Sequence, residues 1–202
     1  MHCLICPPVL ASEQEFVSFW APRYSADPDA DRDYFRSLDR LEADSENSLH
    51  ELLKWKNGGL NLSRSKQAFL ATAQQVLRNC GGVGSAKACE PRKLLDAMPD
   101  SGPIWSLFLI HCLHPQTHPI FDQHVYRAML FMQGKPSQEL PGLVRAGVFD
   151  AYFGEYRPFW VAFRERVSHS SRDTDRALWA FGKWLQLSPW LFEQHSADGR
   201  PA

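Results

Sequence analysis

The stretch Pro119-Ile120-Phe121-Asp122-Gln123-His124-Val125-Tyr126-Arg127 places a carboxylate, an imidazole and a guanidinium within little more than one helical turn. Proline precedes it, and Val125, Tyr126, Met129 and Leu130 follow at helical spacing, so Asp122 is expected at the start of a helix. A carboxylate placed there has two uses. One oxygen can cap the helix by accepting its first N–H groups. The ionised group can also steady a developing positive charge or orient and deprotonate a water nucleophile. His124 and Arg127 lie about one turn on and are candidate phosphate contacts, the alternatives being a structural histidine and a solvated arginine.

Other chemistry is sparse. Cys3 and Cys6 form a Cys-x-x-Cys, but no second close pair completes a metal site, so no metal and no cofactor is expected. The five cysteines are scattered, which argues against a disulfide framework and for a reducing compartment. Gly81, Gly82 and Gly84 follow a helical pattern and lack the register of a phosphate loop, so they are expected to form a plain connection. No run nears the about 18 apolar residues of a membrane span, and the start lacks a signal-peptide pattern. The expected location is cytoplasmic.

The formal net charge of −1 hides an uneven distribution. Residues 1–51 carry 4 Lys/Arg against 11 Asp/Glu, whereas residues 52–93 carry 8 against 1. A basic middle suits a phosphate-contacting surface, although pairing with the acidic first segment would give the same pattern.

The elements that must position these residues are helices, since no stretch alternates as a half-buried strand does. Ser12 is expected to cap a first helix that Pro22 stops. A second covers about 29–42 through Tyr34, Leu38 and Leu41. Ser48 is expected to start a third that ends at Asn57-Gly58-Gly59, and Ser63 to cap a fourth running to Asn79. Pro91 opens a short helix, Pro99-Asp100-Ser101-Gly102 turns, and Pro103 to Leu113 form a long apolar helix. Aromatic-rich helices around 148–167 and 172–187 follow, with a polar tail after about Gln194.

Leu94 to Ser106, followed by Pro119 to Arg127, resembles the helix-hairpin-helix element and Asp-bearing turn of the helix-hairpin-helix DNA glycosylase superfamily. That family's hairpin reads approximately Leu-Pro-Gly-Val-Gly and its following segment approximately Val-Asp-Thr-His-Val-x-Arg. The likeness covers about 48–130. It implies a single all-α domain in two lobes with a cleft between them. The central lobe, about 48–130, would carry the hairpin and Asp122, and the N- and C-terminal helices would form the other.

The resemblance implies a catalytic Asp122 stabilising the oxocarbenium-like sugar formed as a base leaves double-stranded DNA. Family members that also cut the strand carry a lysine where Ile104 stands here, so a monofunctional enzyme is expected. Pro99, Ser101 and Gly102 would offer the hairpin to a DNA phosphate, although Asp100 replaces the family's first glycine and Ser101 an apolar residue. Asp100 or Ser101 could instead cap the Pro103 helix.

Base flipping requires a wedge and an aromatic pocket. Lys56 or Asn57 is the candidate wedge beside Lys54. Trp55, Trp105 and Tyr126 are candidate pocket walls that could equally be core, and Arg64 and Lys66 are expected as surface charge. The base could be a modified cytosine of phage DNA, such as glucosylated hydroxymethylcytosine, or an alkylated, deaminated or oxidised base in repair. An inert DNA-binding module and a helical interaction domain using the C-terminal aromatics are the other classes; no obligate protein partner is evident.

Overall fold

A computed structural model describes residues 12–25, 29, 31–136, 140 and 144–187. The Cys3/Cys6 pair and the tail beyond Leu187 lie outside the described residues. Among those described there is no strand, in keeping with the all-α expectation. No helix among them is long and apolar enough to cross a membrane.

In order, the helices are α1 (Glu13–Trp20), α2 (Arg32–Arg40), α3 (Ser45–Lys56), α4 (Arg64–Asn79), α5 (Val83–Ala88), α6 (Pro91–Asp96), α7 (Pro103–Leu113) and α8 (Gln123–Met132). There follow α9 (Arg145–Asp150), α10 (Arg157–Glu165) and α11 (Ser171–Gln186). A 3-10 turn, Ala21–Arg23, extends α1, and a π-helical turn, Ala151–Tyr156, joins α9 to α10.

The chain divides into two compact units. A central unit comprises Asp27–Phe121 with Arg145–Phe149, and a terminal unit comprises Met1–Ala26, Asp122–Val144 and Asp150–Ala202. The resemblance implies a central lobe at about 48–130. The observed unit starts earlier, taking in α2, and ends at Phe121, so Asp122 and α8 belong to the terminal unit. The reason is packing: the principal partner of α8 is α11.

In the central unit α7 is apolar on every side, with Ser106 through Leu113 all buried, as a helix within a core must be. Trp55 of α3 packs on Tyr34 of α2 (4.6 Å between centroids) and on Phe108 of α7 (6.2 Å). His111 Nδ1 donates to the His118 carbonyl (2.7 Å), and its Nε2 pairs with the Tyr34 hydroxyl (2.6 Å).

Three local expectations need correction. Helix α3 begins at Ser45 rather than Ser48, because the Asp44 carboxylate accepts the Asn47 N–H (3.3 Å) and so supplies an earlier cap; Ser48 is buried within the helix. The glycine cluster is no plain connection. Gly82, at φ +103°, turns the chain into α5, where Val83 and Ala86 bury a short apolar edge. Neither Asp100 nor Ser101 caps α7; its N-cap is Gly102, with no side-chain hydrogen bond.

In the terminal unit α1 and α8 both pack on α11. Phe16 and Trp20 of α1 meet Phe181 at 5.3 and 5.2 Å, edge-on and tilted arrangements that suit aromatic quadrupoles. Ser170 Oγ caps α11 by accepting the Asp173 N–H (3.0 Å). The C-terminal aromatics are largely core: Tyr152, Trp160 and Phe163 are fully buried.

Candidate functional site

Asp122 precedes α8 with extended backbone. Its Oδ1 accepts the His124 N–H (2.8 Å) and the Val125 N–H (3.2 Å). The capping use is therefore real, and it leaves the other open: Oδ2 accepts no hydrogen bond from the described residues. The residue is half-buried, and the positive end of the α8 dipole favours its negative charge.

The start of α8 is fixed against α11. Gly182 of α11 lies directly against the His124 backbone, and Arg127 Nη1 donates to the Gly182 carbonyl (3.1 Å) and lies 3.3 Å from His124 Nδ1. Arg127 is only 4% exposed, so the expectation of a phosphate contact there is corrected: its guanidinium ties one helix to the other. His124 stays half-exposed, its ring edge-on to Trp179 at 5.1 Å. Burial pushes its pKa below the ordinary 6.5, and the charges of Arg127 and Lys183 push the same way against Asp122.

Trp179 also meets Tyr24 (5.0 Å) and carries the Lys183 ammonium over its ring (4.8 Å). Tyr126, by contrast, is 1% exposed and its hydroxyl bonds to Glu155. The reading of Tyr126 as a pocket wall is thus corrected to core, because that face of α8 points into its own unit. Tyr156, from the π turn, is buried; burial first, then the carboxylates of Asp175 and Asp122, push its hydroxyl far up, so it remains protonated.

The hairpin belongs to the central unit. Met98 is buried and anchors it, and the Ser101 N–H donates to the Met98 carbonyl (3.1 Å), leaving Ser101 only its hydroxyl for a ligand. Gly102 and Ile104 are different: among the described residues their N–H groups meet no backbone acceptor. Pro99, having no N–H, is an exposed apolar neighbour. Gly102 and Asp100 are exposed as well.

Around α3 the expected wedge is not free. Asn57 Nδ2 donates to the carbonyls of Leu60 and Asn61 (both 3.1 Å) and its Oδ1 accepts from Lys66 Nζ, so its side chain clamps its own loop. Lys56 lies over the Phe108 ring (5.0 Å), and Lys54 faces Glu51 at 4.0 Å while staying partly exposed. Trp55 is half-buried in the aromatic stack already described. Trp105 is half-buried with Lys66 over its ring (5.0 Å).

Sequence reasoning missed Gly182, Trp179, Lys183 and Tyr156. An isolated glycine inside the α11 pattern was the available signal for a close helix approach. Trp179 and Tyr156 are set by contacts over long chain separations, for which spacing gives no cue, whereas Lys183 stands one helical turn from Trp179, a spacing that could have paired them. No family model matches the chain, and neither a curated protein nor a solved structure matches it.

Proposed function

We propose that this chain is a monofunctional DNA glycosylase, hydrolysing the N-glycosidic bond of a damaged or modified base. The observation that carries the reading is the division of labour within one carboxylate: Asp122 Oδ1 is held by two backbone N–H groups while Oδ2 accepts no hydrogen bond from the described residues. A group anchored in this way costs little to organise when charge develops beside it, and such preorganised charge contributes about 3 kcal/mol to a transition state.

In the proposed reaction the C1′–N bond of an extruded nucleotide lengthens and positive charge spreads over C1′ and the ring oxygen. Asp122 Oδ2 faces that charge. Water attacks C1′, its proton passes to the carboxylate, and the base leaves with the bonding electron pair, giving an abasic site. Ile104 offers no amine for a Schiff base, which supports hydrolysis over strand cleavage. The open N–H groups of Gly102 and Ile104, with Lys54 and Lys56 of the basic segment, would hold phosphates.

The test is base release. Wild type and Asp122→Asn are incubated with DNAs carrying ordinary, alkylated, deaminated, oxidised and phage-type glucosylated hydroxymethylcytosine bases, and abasic sites and free bases are measured by mass spectrometry. Release by wild type alone, without strand cleavage, is expected and names the base. DNA binding by both proteins with release by neither would reduce the chain to an inert DNA-binding module.

A further inference from the structure

Three backbone carbonyls of the hairpin converge on one side chain. Arg145, the first residue of α9, donates from Nη1 to the Ser101 carbonyl and from Nη2 to the carbonyls of Leu95 (3.3 Å) and Met98 (2.9 Å). Its guanidinium lies over the Phe149 ring at 4.7 Å. Burial lowers its pKa, and the neighbouring carboxylates of Asp100 and Asp96 act in the opposite direction. All these residues belong to the central unit.

Carbonyl oxygens gathered just beyond the C-terminal end of α6 repel one another, and a cation among them relieves that repulsion beyond what the backbone N–H donors to Leu95 and Met98 supply. The planar guanidinium is suited to the place, because its several donors reach different acceptors at once and it keeps its charge. A consequence reaches the opposite face of the turn. The Ser101 carbonyl and the Gly102 N–H belong to one planar trans peptide, in which they point in opposite directions. Whatever fixes the first aims the second. Arg145 holds the Ser101 carbonyl, and the Gly102 N–H faces away from it with no backbone acceptor among the described residues.

We propose that Arg145 is the built-in cation of the hairpin: a positioning residue that fixes the Ser101–Gly102 peptide so that the Gly102 N–H meets a DNA phosphate, with no need for a diffusible metal cation. The phosphate half rests on the DNA reading above; the cation half does not. Asp100 adds to this arrangement through its charge, which acts on the same guanidinium.

The test compares wild type with Arg145→Ala in binding duplex DNA in potassium, sodium or tetramethylammonium chloride at equal ionic strength. Wild-type affinity should not depend on which cation is present. The variant should bind about tenfold more weakly in tetramethylammonium, as expected for losing hydrogen bonds to a charged group. Low millimolar guanidinium should restore it.

A potassium requirement in wild type, full affinity in the variant, or a deficit that guanidinium leaves unchanged would each overturn the proposal. If Arg145→Ala does not fold, Arg145→Lys replaces it and should show a smaller deficit, because an ammonium lacks the planar fork. Amide hydrogen exchange of residues 98–104 without DNA separates the two readings. Faster exchange in the variant, slowed by guanidinium, keeps the cation role even where wild type binds no DNA; unchanged exchange removes it even where DNA binds.

Discussion

Gly182 of α11 and the carbonyl of His124 in α8 occupy space that no side chain could share. A Cβ built on Gly182 would stand 2.6 Å from the His124 carbonyl carbon and closer still to its oxygen. The obstacle is backbone, so no rotamer change relieves it. Gly182→Ala should therefore push α8 from α11 and cost about 3 kcal/mol or more, at the upper end of overpacking effects. Thermal unfolding measures the cost. Base release should fall with it, because the displaced turn is the one that holds Asp122.

Asp122 combines a structural and a chemical use, and substitutions can separate them. Asp122→Ala removes the cap and should lower stability by about 1 kcal/mol, whereas Asp122→Asn and Asp122→Ser retain an acceptor for the His124 and Val125 N–H groups and should stay within a few tenths of wild type. Base release should be abolished in all three. Denaturant unfolding alongside the release assay provides the check. Activity that tracked stability across the series would reduce Asp122 to a cap.

What the sequence revealed of this arrangement follows a physical line. Asp122 as a helix start, the Pro91 to Leu113 hairpin and the buried α7 were legible because caps, prolines and apolar runs act within one turn of chain. Arg127 was not, since its acceptor at Gly182 lies 55 residues away and nothing in the α8 pattern says which face meets α11. Tyr126 was ambiguous for the same reason. Asn57 failed differently: it stands where the resemblance puts a wedge, but its amide is engaged by Leu60, Asn61 and Lys66 within its own loop.

Arg127 and Lys54 should respond oppositely to loss of charge. Arg127→Gln leaves the Gly182 carbonyl and a buried helix pair short of a charged donor, a loss of about 3 kcal/mol, with no change in the salt dependence of DNA binding. Lys54→Gln should leave unfolding unchanged and reduce the slope of log affinity against log salt by about 1. A reduced slope for a folded Arg127→Gln protein would return Arg127 to the DNA surface.

Gly102 offers a probe of the hairpin that spares the fold. Its φ is −59°, open to any residue, and among the described residues an added Cβ would meet only Trp105 Cδ1 at 3.6 Å, an ordinary contact. Gly102→Ala should therefore unfold at the wild-type temperature. If a phosphate approaches the Gly102 N–H, the methyl group stands in its way, and DNA affinity should fall about tenfold. Wild-type affinity in a correctly folded Gly102→Ala protein would exclude this N–H as a contact.

Acid sensitivity follows from His124 and His114, one in each unit. Burial is the first cause that lowers both below the ordinary 6.5, with Lys87 adding to it for His114. His114 Nε2 also meets no hydrogen-bond partner among the described residues. Because each folded-state pKa lies below the unfolded one, the unfolded chain binds more protons in the acid range. Stability is then complete above about pH 6.5 and declines as pH falls through the folded values. Melting temperature measured from pH 8 to pH 5 should be level and then drop. His124→Gln and His114→Gln should each flatten part of that drop, and a profile unchanged in the double variant would assign the acid loss to the carboxylates instead.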